Sequence, residues 1–302
     1  MKIRDKIEYG LVRGLLFPCR TLPESWIYAL FRNIGKLGNR VLKRRRKLAL
    51  RNTEIAFPTM QEEERKKLVR QHFINLAESM ALNALIISGR ISKERIFEMV
   101  EVENWEIFET TCKNSSKGSL FFSAHLGNWE LMPQYVALRK NTPIHVVARK
   151  SNNTLIEEHI IMPLRKRFGV NILYKKNALM RIVQAARRNE LSGLLIDQKL
   201  NPPSGVKVDF FGRPAGTTIT PALLQIRFKL TLVPVFMVRT GPCKYRLIIR
   251  PPVEWTDNGK AQEEQAKELT QRHQEVIENM IREYPDQWFW VHNRWGLKKN
   301  EQ

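Results

Sequence analysis

The sequence predicts an α/β fold, a mostly parallel mixed sheet flanked by helices, with a helical N-terminal extension. Three observations carry that prediction. From residue 119 onward, short apolar runs of strand length alternate with longer amphipathic segments, the rhythm of parallel strands joined through covering helices. Residues 61–100 instead show helical spacing with no proline, and Gly89 marks a stop. The 302 residues, 43% hydrophobic and 27% charged, suffice to bury one large core, and no repeat or linker divides them. Two parts are expected: a basic amphipathic, membrane-associating segment over 1–50, and an α/β domain over 51–302 whose sheet begins at about 119.

In chain order, residues 24–42 follow Pro23 and place Trp26, Leu30, Ile34, Leu37 and Val41 at steps of four, four, three and four. That is one apolar helical stripe, widened by Ile27 and Phe31, with Arg32, Lys36 and Arg40 off its centre. Five consecutive cations follow at 43–47. The runs at 120–123, 144–147, 170–173, 193–196 and 232–238 read as strands, with helical patterns at 129–139, 153–168, 177–189 and 217–228 between them. A further strand at 245–249 and a closing helix over 261–283 complete the order.

The net charge of +21, at a pI near 10.1, implies a polyanionic partner, nucleic acid or an anionic membrane. Residues 1–51 hold 14 basic and three acidic side chains, about half of the excess. No Cys/His finger spacing, RNP aromatic motif or basic region leading into heptads is present, so no nucleic-acid module is readable. An apolar stripe followed by a cation cluster suits a helix lying on an anionic leaflet. It equally suits a helix packed on the core with a solvated charge run behind it, and residues 43–47 alone also fit a localisation signal or an RNA contact. A secretory signal is excluded because Asp5, Glu8 and Arg13 interrupt the first apolar stretch, and no window offers the ~18 apolar residues a spanning helix needs. Three scattered cysteines (Cys19, Cys112, Cys243) make neither a disulfide framework nor a thiolate zinc site, which points to a reducing compartment and no metal.

Open sheets present function at the carboxyl ends of their strands. The first strong strand runs into Ser123-Ala124-His125, followed by Leu126-Gly127-Asn128-Trp129-Glu130. On a continuous helix, residues five apart point about 140° away from each other. With His125 at a strand tip, a turn at Gly127 and Glu130 in the first helical turn, the two can meet. Glu130 would then hold one imidazole nitrogen and leave the other free as a general base. No nucleophile elbow, P-loop, dinucleotide fingerprint or H-E-x-x-H accompanies them, so the pair suits direct attack by a substrate hydroxyl. The plainer reading of the same residues is a core histidine and a carboxylate at a helix N-terminus.

The block His125-x4-Glu130 after an apolar strand resembles the H-x4-D/E block of glycerolipid-type acyltransferases. More narrowly, the chain resembles the late (secondary) acyltransferases of bacterial lipid A biosynthesis, the lauroyl and myristoyl transferases. Further blocks follow in order: Arg149-x3-Asn153; Asp197-Gln198 after an apolar pair; Phe210-Phe211-Gly212-Arg213-Pro214-Ala215 with Thr217; and Trp288-Phe289-Trp290-Val291-His292-Asn293-Arg294-Trp295. The likeness runs from about residue 5 to 297. It implies a glycerolipid-acyltransferase-like fold and transfer of an acyl chain from acyl carrier protein, or coenzyme A, to the hydroxyl of a 3-hydroxyacyl chain on a Kdo-lipid A precursor. It implies His125 as general base and Glu130 as its partner. Arg149 is then the candidate to stabilise an oxyanion or bind a phosphate, with Asn153 supporting it and Asp197 orienting groups at the next strand end. The implied partners are acyl carrier protein, anionic membrane lipid and the lipid A precursor, with no cofactor and no nucleic acid. The implied place is the cytoplasmic face of the bacterial inner membrane, attached peripherally or monotopically.

Two departures bear on the acceptor and the anchor. Asp197-Gln198-Lys199 stands where some lauroyl enzymes carry Asp-His-Asp, and the N-terminal spanning helix of many members is replaced by the mixed segment described above. Phosphatidylinositol mannoside acyltransferases share the His/Glu pair and are the alternative; a non-catalytic basic RNA- or membrane-binding protein is the alternative from another class. His292 and Arg294 could line the site. Trp288, Trp290 and Trp295 read as a core cluster or as lipid-interface residues. The basic groups at 165–167, 175–176 and 187–188 read as docking points for an acidic carrier or lipid phosphates, or as solvated helix ends.

Overall fold

The computed structural model describes residues 3–115, 118–174, 178–202 and 205–298; the Lys175/Lys176 pair lies outside them. Four helices come first: α1 (Ile3–Leu16), α2 (Glu24–Val41), α3 (Lys43–Ala56) and α4 (Glu62–Ile87). The strands are β1 (Val100–Glu103), β2 (Ser119–Ser123), β3 (Ile144–Ala148), β4 (Val170–Tyr174), β5 (Leu191–Leu195), β6 (Gly205–Phe210), β7 (Arg213–Thr218), β8 (Thr231–Gly241) and β9 (Lys244–Ile249). Seven of them form one sheet in the order β1-β9-β8-β2-β5-β3-β4. The five strands from β8 to β4 are parallel, β9 returns antiparallel to β8, and β1 pairs parallel with β9. Strand β2 lies in the middle and is buried at every residue, because its two faces serve two different cores. Leu120 and Phe122 enter one apolar cluster and Phe121 the other, the alternation a doubly covered strand requires.

The sheet begins earlier than residue 119, since β1 is a four-residue edge strand whose Val/Glu alternation is too short to read as a period. The segment 205–218 is a β6–β7 hairpin turned at Phe211 and Gly212, both with positive φ. Its second strand occupies the start of the helix expected from 217, which runs instead from Thr220 to Phe228.

Helix α2 packs on α4 through Ile27, Tyr28, Phe31 and Gly35. A side chain at position 35 would run into the carbonyl of Phe73, so this crossing needs glycine. Arg32 donates to Glu78 at 2.7 Å, and Glu78, itself buried on α4, also pairs with Arg239 of β8. The Trp26 stripe does not face the core. Trp26 is 64% exposed, Val41 59% and Leu37 56%, and Leu30 and Ile34 lie along the same side. Helix α1 adds exposed Ile3, Ile7 and Leu11 at steps of four. Among the described residues no helix is long and apolar enough to cross a membrane.

Candidate active site

The parallel register of β2 on β5 pairs Phe122 with Leu194 and Ser123 with Leu195. Carried two residues beyond the strand ends, the same register sets His125 opposite Asp197. Asp197 Oδ1 lies 2.8 Å from His125 Nδ1, and Oδ2 accepts the His125 backbone N–H at 3.0 Å. The indole N–H of Trp288 donates to the same Oδ2 at 2.8 Å. Asp197 is only 2% exposed. Burial pushes its carboxyl up, yet the facing imidazole and these three donors together hold it down at about 2. A carboxylate that stays ionised here keeps Nδ1 protonated and leaves Nε2 as the basic nitrogen. That nitrogen faces the Gln198 amide at 3.2 Å, and the ring is flanked by Trp129 and Phe289.

The loop after His125 explains how the imidazole is held at the sheet edge. Gly127 has φ +60, and a Cβ there would run into the Met237 carbonyl, so only glycine lets the chain turn this close to β8. Leu126 bridges Trp288, Gly127 N donates to Gln287 O, and Phe289 N donates to His125 O at 2.9 Å. The segment 287–289 thus lies beside the loop like a short antiparallel strand and delivers the Trp288 indole to Asp197. Asn52 of α3 holds the next carbonyls, those of Trp290 and His292, each at 2.7 Å.

The expected His125–Glu130 hydrogen bond is not made. Glu130 gives both carboxylate oxygens to Arg165, at 2.6 and 2.9 Å, in a bidentate pair. The chain has turned through Gly127 and Asn128 into the helix Leu131–Lys140, which carries Glu130 toward the helical turn Met162–Lys166 and away from the ring edge. Burial acts to lower the Arg165 guanidinium, and Glu130 more than offsets it, so it stays firmly charged. Of the basic groups at 165–167, then, Arg165 is ion-paired with Glu130 rather than left to solvent; at 187–188, Arg188 pairs with Glu190.

Arg149 follows directly on β3, two strands from β2 and so about 10 Å across the sheet, on the same carboxyl edge; it is exposed and makes no side-chain bond to a described residue. Asn153 is buried and fully occupied elsewhere. Its Oδ1 accepts Leu155 and Ile156 N–H, and its Nδ2 donates to Asp5 O and Glu8, which ties α1 to the body instead of supporting Arg149. His292 accepts the Lys199 N–H through Nε2, and burial lowers its imidazole. Arg294 is fully buried and does not hydrogen-bond His125 or Asp197, donating instead to Gly216 O, Thr217 Oγ1 and Gln274 Oε1. Burial pulls its guanidinium down to about 10, against the pull of Asp197 and Glu278. Trp288, Trp290 and Trp295 form a buried aromatic cluster with Phe210. Of the two readings the core one holds, and Trp288 adds a polar handle, its indole N–H on Asp197, that its place in the C-terminal block signals. Among the described residues no His/Cys/Asp/Glu group could hold a metal ion.

A buried carboxylate on an oriented imidazole at the tip of a parallel sheet is an arrangement able to take a proton from a hydroxyl. The model of the family described as bacterial lipid A biosynthesis acyltransferase matches residues 2–297. The chain is 28% identical over 287 residues to the lipid A biosynthesis lauroyltransferase of Escherichia coli (strain K12), covering 94% of this chain and 90% of the relative. It is 27% identical over 295 residues to the palmitoleoyltransferase of the same strain (96% and 90%), and 24% identical over 272 residues to the myristoyltransferase (89% and 80%). The chain belongs to the bacterial lipid A biosynthesis acyltransferase family and is an acyltransferase.

Proposed function

We propose that the chain transfers a fatty acyl group from a carrier thioester, acyl carrier protein or coenzyme A, to the hydroxyl of a 3-hydroxyacyl chain on a Kdo-lipid A precursor. The observation that carries the mechanism is the His125 Nδ1–Asp197 contact of 2.8 Å, with Nε2 on the opposite side of the ring. In this reading Nε2 takes the acceptor hydroxyl proton as the oxygen attacks the thioester carbonyl. Asp197 stabilises the imidazolium, the C–S bond of the tetrahedral intermediate breaks, and the imidazolium returns the proton to the thiolate. Arg165, held by Glu130, supplies positive charge for the developing oxyanion or a substrate phosphate. Glu130 therefore acts through Arg165, and Asp197 takes the orienting role expected of Glu130. The names of the relatives support lipid A as the acceptor over other glycolipids.

We also place the protein peripherally on the cytoplasmic face of the bacterial inner membrane. What supports this is the solvent-facing stripe of α2, the exposed apolar residues of α1 and the cations at 43–47. Such a surface is costly in water and favourable at an anionic leaflet. The decisive assay measures acyl transfer by purified His125→Ala and Asp197→Asn from an acyl carrier protein thioester to lipid A precursor in mixed micelles. Both should lose about 10²–10⁴-fold in kcat while staying folded by circular dichroism; undiminished turnover in the two variants would end the proposal.

A further inference from the structure

A second site lies away from the catalytic histidine, where α2, α3 and α4 meet. Glu63, Lys66, Lys67 and Arg70 recur at i, i+3, i+4 and i+7 on α4 and so share one helical face. With Arg46 and Leu50 of α3 and Asn39 of α2 they line a cleft of about 420 Å³. Its floor is apolar, because Val69 is buried and Leu50 packs against the same core cluster, and water is excluded beneath the charges. One cation there is already neutralised: Lys66 Nζ lies 2.8 Å from both Glu62 and Glu63. Arg46, Lys67 and Arg70 make no side-chain bond or ion pair with any described residue. Glu63, the carboxylate of the lining, is taken by Lys66, so Arg46, Lys67 and Arg70 repel one another across the cleft, and an anion reduces that cost. Asn39, in the lining, has its Oδ1 buried without a partner, an acceptor left unsatisfied within the fold.

We propose that this cleft binds a phosphate monoester group, with Arg46, Lys67 and Arg70 on its oxygens and Asn39 on a protonated oxygen or neighbouring hydroxyl. A phosphate monoester matches the site better than a carboxylate, since it offers three acceptor oxygens and up to two negative charges to three cations. The catalytic neighbours of His125 take no part in it. The two sites are nonetheless linked through α3, where Arg45, beside Arg46, donates to the Val291 carbonyl at 3.2 Å in the segment that carries Trp288 and His292. The inference does not depend on the acyl-transfer reading, because its test reads binding.

Calorimetric titration of the full-length protein with inorganic phosphate, and flotation with phosphatidylcholine vesicles containing or lacking phosphatidic acid, separates a soluble from a lipid-borne phosphate. Saturable binding of either probe should weaken about fivefold per cation removed, roughly a hundredfold in Arg46→Gln/Lys67→Gln/Arg70→Gln. Arg46→Lys/Arg70→Lys, which keeps the charge but not the guanidinium fork, should retain an intermediate affinity. His125→Ala should bind phosphate as the wild type does while losing acyl transfer, so failure of one reading is told from failure of the other. Lys93→Gln/Lys244→Gln/Lys267→Gln removes three exposed cations elsewhere and should change little. If that variant weakens binding as much as the cleft variant, or if the cleft variant binds both probes like the wild type, the site does not exist.

Discussion

The carboxyl ends of β2 and β5 and the outer side of α2 break the usual rule of burial in opposite directions. At the strand ends the chain buries charge: Asp197 and Arg294 are almost wholly enclosed, and each is met by several hydrogen-bonding partners. On α2 it exposes apolar surface, with Trp26, Leu37 and Val41 in solvent, although the same helix has a second apolar side on α4. Both departures cost folding free energy. In the first, the cost is offset within the fold, because imidazole, indole and backbone N–H groups replace water around the carboxylate. In the second, nothing among the described residues covers the stripe, and the cost is not offset within the fold. The contrast separates polar groups compensated within the fold from an apolar face that is not.

The largest effects should come from the buried site, where the two carboxylates can be told apart. Asp197→Asn should remove the acceptor for Nδ1–H and lower kcat by about 10²–10⁴-fold. Glu130→Gln, which weakens the Arg165 pair, should also reduce turnover yet keep the Nδ1–H tautomer, as read from imidazole nitrogen chemical shifts. A changed tautomer in Glu130→Gln with an unchanged one in Asp197→Asn would reverse the assignment.

Acid should act next, on stability. Burial holds His72 and His273 neutral down to about 3, against an unfolded value of 6.5. The unfolded chain therefore binds more protons between those values, and stability is full above about pH 6.5 and falls progressively toward pH 3. The loss should amount to a few kcal/mol per histidine. Asp197 adds a further loss below about pH 4, as pH drops from its unfolded 3.8 toward 2. Melting curves from pH 7.5 to 4 should show a steep decline that His273→Gln makes shallower; parallel curves would refute the buried neutral state.

A smaller change should follow Trp288→Phe, which keeps a ring in the aromatic cluster and removes the N–H from Asp197. Loss of one hydrogen bond to a charged acceptor predicts a drop in kcat of about tenfold or somewhat more. Activity equal to wild type would make Trp288 a packing residue only.

On the outer surface, Trp26→Ser/Leu37→Ser/Val41→Ser should lower partition onto anionic vesicles at least about tenfold without lowering the melting temperature. Substituting the exposed stripe is a cleaner test than deleting residues 1–47, because Ile27, Phe31 and Arg32 anchor α2 to α4 and Glu78, and their loss would open the core. Unchanged partition in the triple variant would leave the stripe without a membrane role.

Strand positions, the closing helix and the amphipathic character of α2 were legible in the sequence, because hydrophobic periodicity is a local property and survives in any window a few turns long. His125 was legible for the same reason, as a polar residue at the tip of an unbroken apolar run. The short edge strand β1 and the β6–β7 hairpin were not, since four or six residues carry too little period to outweigh their neighbours. Nor could the side of α2 that faces the core be chosen, because both of its sides are apolar and only the small-residue contact at Gly35 decides which one fits α4. The partner of His125 was decided by tertiary structure alone. Asp197 is 72 residues away and becomes its neighbour through the parallel register of β2 on β5, whereas Glu130, five residues away, is carried off by the turn at Gly127 and met by Arg165. Sequence proximity fixes which groups are available; the hydrogen-bonded register of the sheet decides which of them share a proton.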